Sequence, residues 1–134
     1  MWTVKVVRIY TGPDNKSHFE DLQVPMQDVT RGARVSQRTE LIPTKAMLFR
    51  ETPLGRAGEY HTPGQRQFVV TISGAVEITC AGGSRVFGPG DILFAEDLTG
   101  EGHSNRELHG PRRSMIIPVP DDFDIRRHTL PFEA

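Results

Sequence analysis

The fold is decided by the stretch HTPGQRQFVVTISGAVEITCAGGSRVFGPGDILFAEDLTGEGH, residues 61–103. β-Branched and aromatic residues lie on both sides of Ser73 and Gly74, which predicts a strand, a tight turn and a returning strand, because glycine supplies the positive φ of such turns. Further glycine turns follow at 81–83 and 88–91, and 92–95 is predicted as another strand. Short strands joined by glycine-rich turns bury their apolar faces in a sandwich or a closed barrel. The stretch therefore predicts an all-β fold.

Outside this stretch, four further segments have the composition of strands: apolar and polar residues alternate in the first, and the last is mostly apolar. They predict strands within 2–10, 19–26, 41–53 and 114–119. Pro25 cannot donate a backbone hydrogen bond, so the second of these is expected at a sheet edge. Residues 104–113 are predicted as a loop. The tail 121–134 mixes acidic and basic residues, and it is predicted either as a short helical turn or as an arm packed on a neighbouring subunit.

The composition excludes several classes of function. Lysine and arginine total 16 against 17 acidic residues, so the net charge of −1 gives no electrostatic reason to bind nucleic acid or an anionic membrane. No apolar run approaches the roughly 20 residues of a membrane span, and no secretory segment is recognisable at the N-terminus. Cys80 is the one cysteine. It allows no intrachain disulfide, and we expect a buried structural role and a reducing, cytoplasmic location.

Residues 61–74 resemble the first sequence motif of the cupin superfamily, a group of small double-stranded β-helix barrels of the jelly-roll type. His61 stands at the first histidine of that motif, Gln67 at its glutamate and Gly74 at its closing glycine. Pro63 occupies the place of the second histidine, where proline has no metal-binding group.

Residues 90–107 resemble the second cupin motif. His103 matches its histidine and follows a glycine-containing loop that is two residues longer than usual. Glu96 stands where the family has proline, and Glu107 replaces the closing asparagine. The two motifs and the turns between them extend the resemblance over about residues 45–118.

The resemblance implies one cupin domain over residues 1–134, an all-β jelly-roll barrel with its core at about 34–120. The N-terminal strands within 2–26 and the tail 121–134 would pack on that core or on a dimer partner. A cytoplasmic homodimer is therefore expected, with a small molecule as ligand or substrate and neither nucleic acid nor membrane as a partner.

In typical cupins, histidines and a carboxylate converge on one divalent metal inside the barrel. The matching residues here are His61, Gln67 and His103, which carry no negative charge to balance the cation. The resemblance leaves open whether Mn, Fe, Ni, Zn or Cu is bound there or no metal at all. Glu96 ends an apolar strand before the loop, and it is the carboxylate that we expect to join this site. The alternative is that Glu96 and Asp97 form a solvated strand end.

The expected function is to bind or convert a small polar organic molecule inside the barrel. Lyase, isomerase or dioxygenase chemistry would use His61, His103 and Glu96 as catalytic groups, with or without the metal. Substrate binding is assigned to Arg66, Asp97 and Arg106. The alternative is a non-catalytic ligand-binding or sensory cupin with a degenerate metal site, and a plain oligomerisation scaffold is a third possibility.

Overall fold

The computed structural model describes residues 2–55 and 57–130 of the chain. The predicted all-β class is confirmed, since the described part consists of strands and one 3-10 turn: β1 (Thr3–Thr11), β2 (Ser17–Pro25), β3 (Gln27–Arg31), β4 (Arg34–Arg38), β5 (Leu48–Thr52), β6 (Gln67–Cys80), β7 (Gly83–Phe87), β8 (Ile92–Glu96), β9 (Ser104–Pro118) and the turn at Ile125–His128. No helix among these residues is long and apolar enough to cross a membrane.

Seven of the strands form one mixed sheet in the order β2-β1-β8-β6-β9-β5, and β7 pairs with β6 beside this path. Only β1 and β8 run parallel among the described pairs. The predicted position of the second strand at a sheet edge is confirmed, because β2 pairs with β1 alone. Strands β3 and β4 form a separate hairpin whose residues are mostly exposed.

The turn predicted at Ser73 and Gly74 is wrong, because β6 continues through both residues. The pairing register between β6 and β9 instead shifts three times between Thr71 and Val76. Gly74 has a φ of +80°, and a Cβ there would lie 2.6 Å from the carbonyl oxygen of His109. Gly74 therefore allows an irregularity, of the β-bulge kind, within one long strand, where the sequence pattern suggested a hairpin.

Two other predicted boundaries are corrected by the pairing of β9. The segment 104–113, predicted as a loop, is the first part of β9 and pairs with the second half of β6. The segment 41–53, predicted as one strand, is extended and paired only at Leu48–Thr52, where β5 lies beside the end of β9. Pairing with a distant strand thus makes the polar segment 104–113 a strand. Most of the segment 41–53 has no such pairing and stays irregular.

Successive side chains of the main sheet point to two faces. Val69, Leu93 and Ala95 pack together on one face, which we call the inner face. Phe68 and Phe94 pack on the opposite face, which we call the outer face. Each face has its own apolar cluster, so β6 and β8 are covered on both sides.

The tail packs on its own chain as far as the structure describes it. Phe123 and Ile125 are buried in the apolar cluster of the outer face, and the amide of Leu130 donates a 2.9 Å hydrogen bond to the carbonyl of Gln23. Of the two predictions for the tail, the helical turn is the one observed for residues 121–130. Residues 131–134 lie outside the described part.

Candidate functional site

His61 and His103 are brought together by their backbones. The amide of each residue donates a 2.9 Å hydrogen bond to the carbonyl of the other, and their ring centroids lie 4.8 Å apart. Gly102 makes this approach possible, because its φ is +74° and a Cβ there would collide with the carbonyl oxygen of His61. A glycine is therefore needed before His103 so that the backbones of the two histidines can pair.

The side chain of His103 is fixed by a buried carboxylate. Its Nδ1 lies 2.7 Å from Oδ2 of Asp97, and the same oxygen accepts a 2.7 Å hydrogen bond from the hydroxyl of Ser17. Asp97 is fully buried and His103 is 5% exposed. Because Oδ2 is the acceptor of this contact, the tautomer assigned to His103 carries the proton on Nδ1 and leaves the lone pair of Nε2 free.

The ring of His61 is oriented in the same way by a weaker partner. Its Nδ1 lies 3.0 Å from the backbone carbonyl oxygen of Glu59, two residues earlier in the chain. Unlike His103, His61 is exposed. The assigned tautomer again leaves Nε2 as the nitrogen that can contact a ligand. Both histidines therefore have one ring nitrogen engaged within the protein and one available.

A cavity of about 260 Å³ lies beside the two histidines. Its wall combines apolar side chains of the inner face with polar groups, and the polar lining residues are Arg50, His61, Thr62, Gln67, His103, Asn105 and Arg112. The structure thus brings His61, Gln67 and His103 to one cavity. Asp97 lies behind His103 and orients it.

The predicted catalytic Glu96 lies away from this cavity. It follows Ala95, which lines the cavity, so its side chain points to the outer face. There its carboxylate bonds to Arg8 and accepts a 3.0 Å hydrogen bond from Arg66. The structure does not bring Glu96 to the histidines, because alternation along β8 turns it to the other side of the sheet.

The two arginines predicted to bind substrate also lie elsewhere. Arg66 bonds to Glu96 and donates to the carbonyl oxygens of Asp121 at 3.2 Å and Phe123 at 2.6 Å, so it holds the start of the tail. Arg106 is 57% exposed and forms a 3.1 Å ion pair with Glu77. Neither residue lines the cavity.

Four polar residues of the wall were not identified from the sequence. They are Thr62 beside His61, Arg50 on β5, and Asn105 and Arg112 on β9. Arg112 forms a buried ion pair with Glu107, with Nε 2.6 Å from Oε1. The available signal was the alternation within β5 and β9. It could not be used because the boundaries and pairing of these strands were predicted incorrectly.

The donor set was compared with the needs of a divalent transition metal. No group of three or more His, Cys, Asp or Glu side chains with a suitable geometry occurs among residues 2–55 and 57–130. Among the residues that line the cavity, His61 and His103 offer an imidazole each and Gln67 offers an amide. Metal-ligating histidines commonly give their other ring proton to a carboxylate or a backbone carbonyl, as Asp97 and Glu59 accept it here. The residues therefore fit a weakly held metal without anionic ligands.

No protein-family model matches the sequence. No curated protein matches it either.

Proposed function

We propose that the chain is a cupin-type jelly roll whose cavity binds a small polar organic molecule at His61 and His103. The two histidines stand at the positions where the cupin motifs have metal or substrate ligands, and they line the same cavity. Gln67, at the position of the motif's glutamate, lines it as well. The motif positions and the cavity agree although the sequence departs from both motifs.

The observation that carries this proposal is the buried pair of Asp97 and His103. Burying a carboxylate is costly, and a histidine held by one is usually held for a purpose that needs a fixed ring. In this arrangement Nε2 of His103 accepts a proton from a bound O–H or acidic C–H group, and Asp97 stabilises the imidazolium that forms. His61, on the same cavity wall, contacts the ligand or returns the proton.

A second candidate uses the same nitrogens to hold a divalent metal. It is favoured because Nδ1 of both histidines is engaged by an oxygen acceptor, which leaves Nε2 of each and the amide oxygen of Gln67 as the ligand set. A metal bound there would polarise a carbonyl or enolate oxygen. Asp97 would then raise the basicity of His103 as a ligand.

The rival to both is a non-catalytic, ligand-binding cupin. Pro63 and Gln67 favour it, because they replace two of the groups that hold metal in the family. The buried Asp97 argues against it, since a cavity that only binds does not require a carboxylate behind one histidine.

Metal content separates these candidates. Tag-free protein prepared without chelator is analysed by elemental analysis as wild type, His103→Ala and, as a control, His109→Ala, which removes an exposed histidine outside the cavity. Near-stoichiometric metal in the wild type and in His109→Ala, but not in His103→Ala, supports the metal candidate. Absence of metal from all three contradicts it and leaves the metal-free site.

Ligand binding is then tested on the histidine rings themselves. Ring C–H signals of His61 and His103 are followed by NMR while small carboxylates, amides and sugars are added. Changes confined to these two rings support the proposed site, with His109 as the internal control. If no added molecule moves either ring and no metal is present, the proposed function is wrong.

A further inference from the structure

The charged groups on the cavity wall differ in whether they have partners. Arg112 is paired with Glu107, and both side chains are less than a tenth exposed. His103 is paired with Asp97. Arg50 also lines the cavity, yet it forms no hydrogen bond or ion pair with any residue of 2–55 and 57–130 that the structure records. It is the one charged wall residue in that part of the chain whose charge is not balanced.

The register of β5 explains why Arg50 faces the cavity. Arg50 pairs with Ser114 on β9, and directly paired residues point to the same face of a sheet. The neighbours of Ser114 on that face, Arg112 and Ile116, both line the cavity. Arg50 is exposed overall, so its guanidinium lies where the cavity meets solvent.

Three buried polar atoms on the inner side lack partners among the described residues, and one of them is Oδ1 of Asp97. The hydroxyl of Ser114 is 1% exposed and makes no hydrogen bond among the described residues. Oδ1 of Asn105, on a cavity-lining residue, is also buried without a partner there. Buried polar groups are normally satisfied, and Asn105 lines the cavity, so its Oδ1 indicates that a bound molecule bonds to it.

We propose that Arg50 binds the carboxylate of the molecule that occupies this cavity, so that the ligand class is small organic carboxylates. This inference rests on the proposed function, because it places the other end of the ligand at His61 and His103. A guanidinium presents two parallel N–H donors that match a carboxylate. Asn105 is left to bond a polar substituent such as a hydroxyl.

The size of the cavity restricts the ligand further. Sites for drug-sized molecules have volumes of roughly 300–1,000 Å³. At about 260 Å³ the cavity falls below that range. A carboxylic acid with a carbonyl, hydroxyl or small ring beside it fits this volume, and its acidic C–H or O–H group would reach the histidines.

The test compares each acid with its primary amide, which has nearly the same shape but no charge. Pyruvate and pyruvamide, lactate and lactamide, and benzoate and benzamide are titrated into wild type, Arg50→Gln, Arg50→Lys and Arg113→Gln. Arg113 on β9 is the matched control. It is an arginine close to Arg50 that does not line the cavity, and its side chain is 69% exposed and paired with Glu51. Dissociation constants are measured by isothermal titration calorimetry, and the ring signals of His61 and His103 are followed separately by NMR.

Wild type and Arg113→Gln are expected to prefer at least one acid over its amide by about 10- to 100-fold, the range for hydrogen bonds to a charged group. Arg50→Gln should reduce that preference to about one, and Arg50→Lys should retain part of it, because an ammonium keeps the charge without the paired donors.

Failure of this inference is distinguishable from failure of the proposed function. Equal binding of acids and amides to wild type, or a preference that persists in Arg50→Gln, overturns the role of Arg50 while ring shifts still support the cavity. Acid binding that depends on Arg50 but leaves both histidine rings unchanged supports the carboxylate site and contradicts the proposed function. Absence of binding by all six compounds overturns the carboxylate proposal.

Discussion

Glu96 and Asp97 are adjacent carboxylates at the end of β8, and they have opposite surroundings. Glu96 points to the outer face, where Arg8 and Arg66 bond to it. Asp97 is fully buried on the inner side and accepts hydrogen bonds from Ser17 and His103. Alternation along an extended chain is sufficient to separate two neighbours in this way.

The difference shows that the partner of a carboxylate, more than the carboxylate itself, decides what it can do. Both partners of Glu96 are arginines, and the resulting ion cluster secures the tail through Arg66. Asp97 bonds to a hydroxyl and an imidazole, and through these bonds it holds the ring of His103 on the cavity wall. One carboxylate therefore stabilises the fold, and the other supports the site.

The largest loss of stability is expected when His61 is separated from His103, the histidine that Asp97 holds. Gly102→Ala introduces a Cβ against the backbone of His61. The left-handed conformation alone costs an alanine about 1–2 kcal/mol, and displacement of His61 adds to it. We expect a loss of about 3 kcal/mol in the free energy of unfolding, measured with urea, and loss of the NOE between the two rings.

Gly90→Ala is the matched control for this prediction. Gly90 has a similar φ of +85°, but nothing lies within 4 Å of the position of a Cβ. This variant should lose only the conformational contribution, about 1–2 kcal/mol, and keep the NOE between His61 and His103. Equal losses in Gly102→Ala and Gly90→Ala would show that the close approach at Gly102 is not important.

The next effect comes from exchanging each carboxylate for its amide. In Asp97→Asn, the Nδ1–H of His103 and the hydroxyl of Ser17 lose a charged acceptor inside the protein, at a cost of about 2–3 kcal/mol. The ring of His103 should also lose its single tautomer, which ¹⁵N chemical shifts of Nδ1 and Nε2 report directly. Glu96→Gln is the paired variant, and it should leave those shifts unchanged. A change in both variants would mean that the two faces are coupled.

The part of the site that could be predicted from the sequence is the set of residues at cupin motif positions. His61, Gln67 and His103 were expected to share a site, and the structure brings them to one cavity. Glu96 was expected there as well, because the residues of β8 were assigned to the wrong faces. A strand that is apolar on both sides, as Ile92–Glu96 is, contains no alternation that identifies its inner side.

The fold was predicted as all-β, yet several of its strands were not located correctly. Ser73 and Gly74 have the composition of a hairpin turn, but the register of β6 on β9 makes them an irregularity within a strand. The polar segment 104–113 is a strand because it pairs along β6. Such pairings join residues far apart in sequence, so local pattern does not contain them. Arg50 remained unrecognised for the same reason.

A smaller effect is expected when the outer ion cluster loses an arginine. Arg66→Met removes the donors to Glu96, Asp121 and Phe123 but retains an unbranched side chain. A loss of about 1–3 kcal/mol in the free energy of unfolding is expected, because two backbone carbonyls lose their donor. Arg106→Met is the control at an exposed pair and should cost less than about 0.5 kcal/mol. Equal costs would contradict the role of Arg66 in holding the tail.

The smallest effect concerns pH and tests the outer ion cluster at Glu20. Burial would raise the pKa of Glu20, but hydrogen bonds from Arg126 and Arg8 outweigh it and hold this pKa below the ordinary value of 4.5. A lowered pKa in the folded state stabilises the protein above the ordinary value, and the stabilisation is lost as pH falls through the folded value. Urea unfolding at pH 6 and pH 3 should therefore show a smaller decline for Glu20→Gln than for wild type.

The expected difference is less than about 1 kcal/mol, because exposed and half-exposed ion pairs contribute little. Asp21 contributes to the acid decline of both proteins, since Arg85 lowers the pKa of its carboxyl too, so only the difference between the variants measures Glu20. The ring signals of His103 should be the same in both proteins at pH 6, because Glu20 belongs to the outer cluster through Arg8. Identical acid declines would show that Arg8 and Arg126 do not hold Glu20 in solution, and the outer cluster would then reduce to the contacts between Glu96 and its arginines.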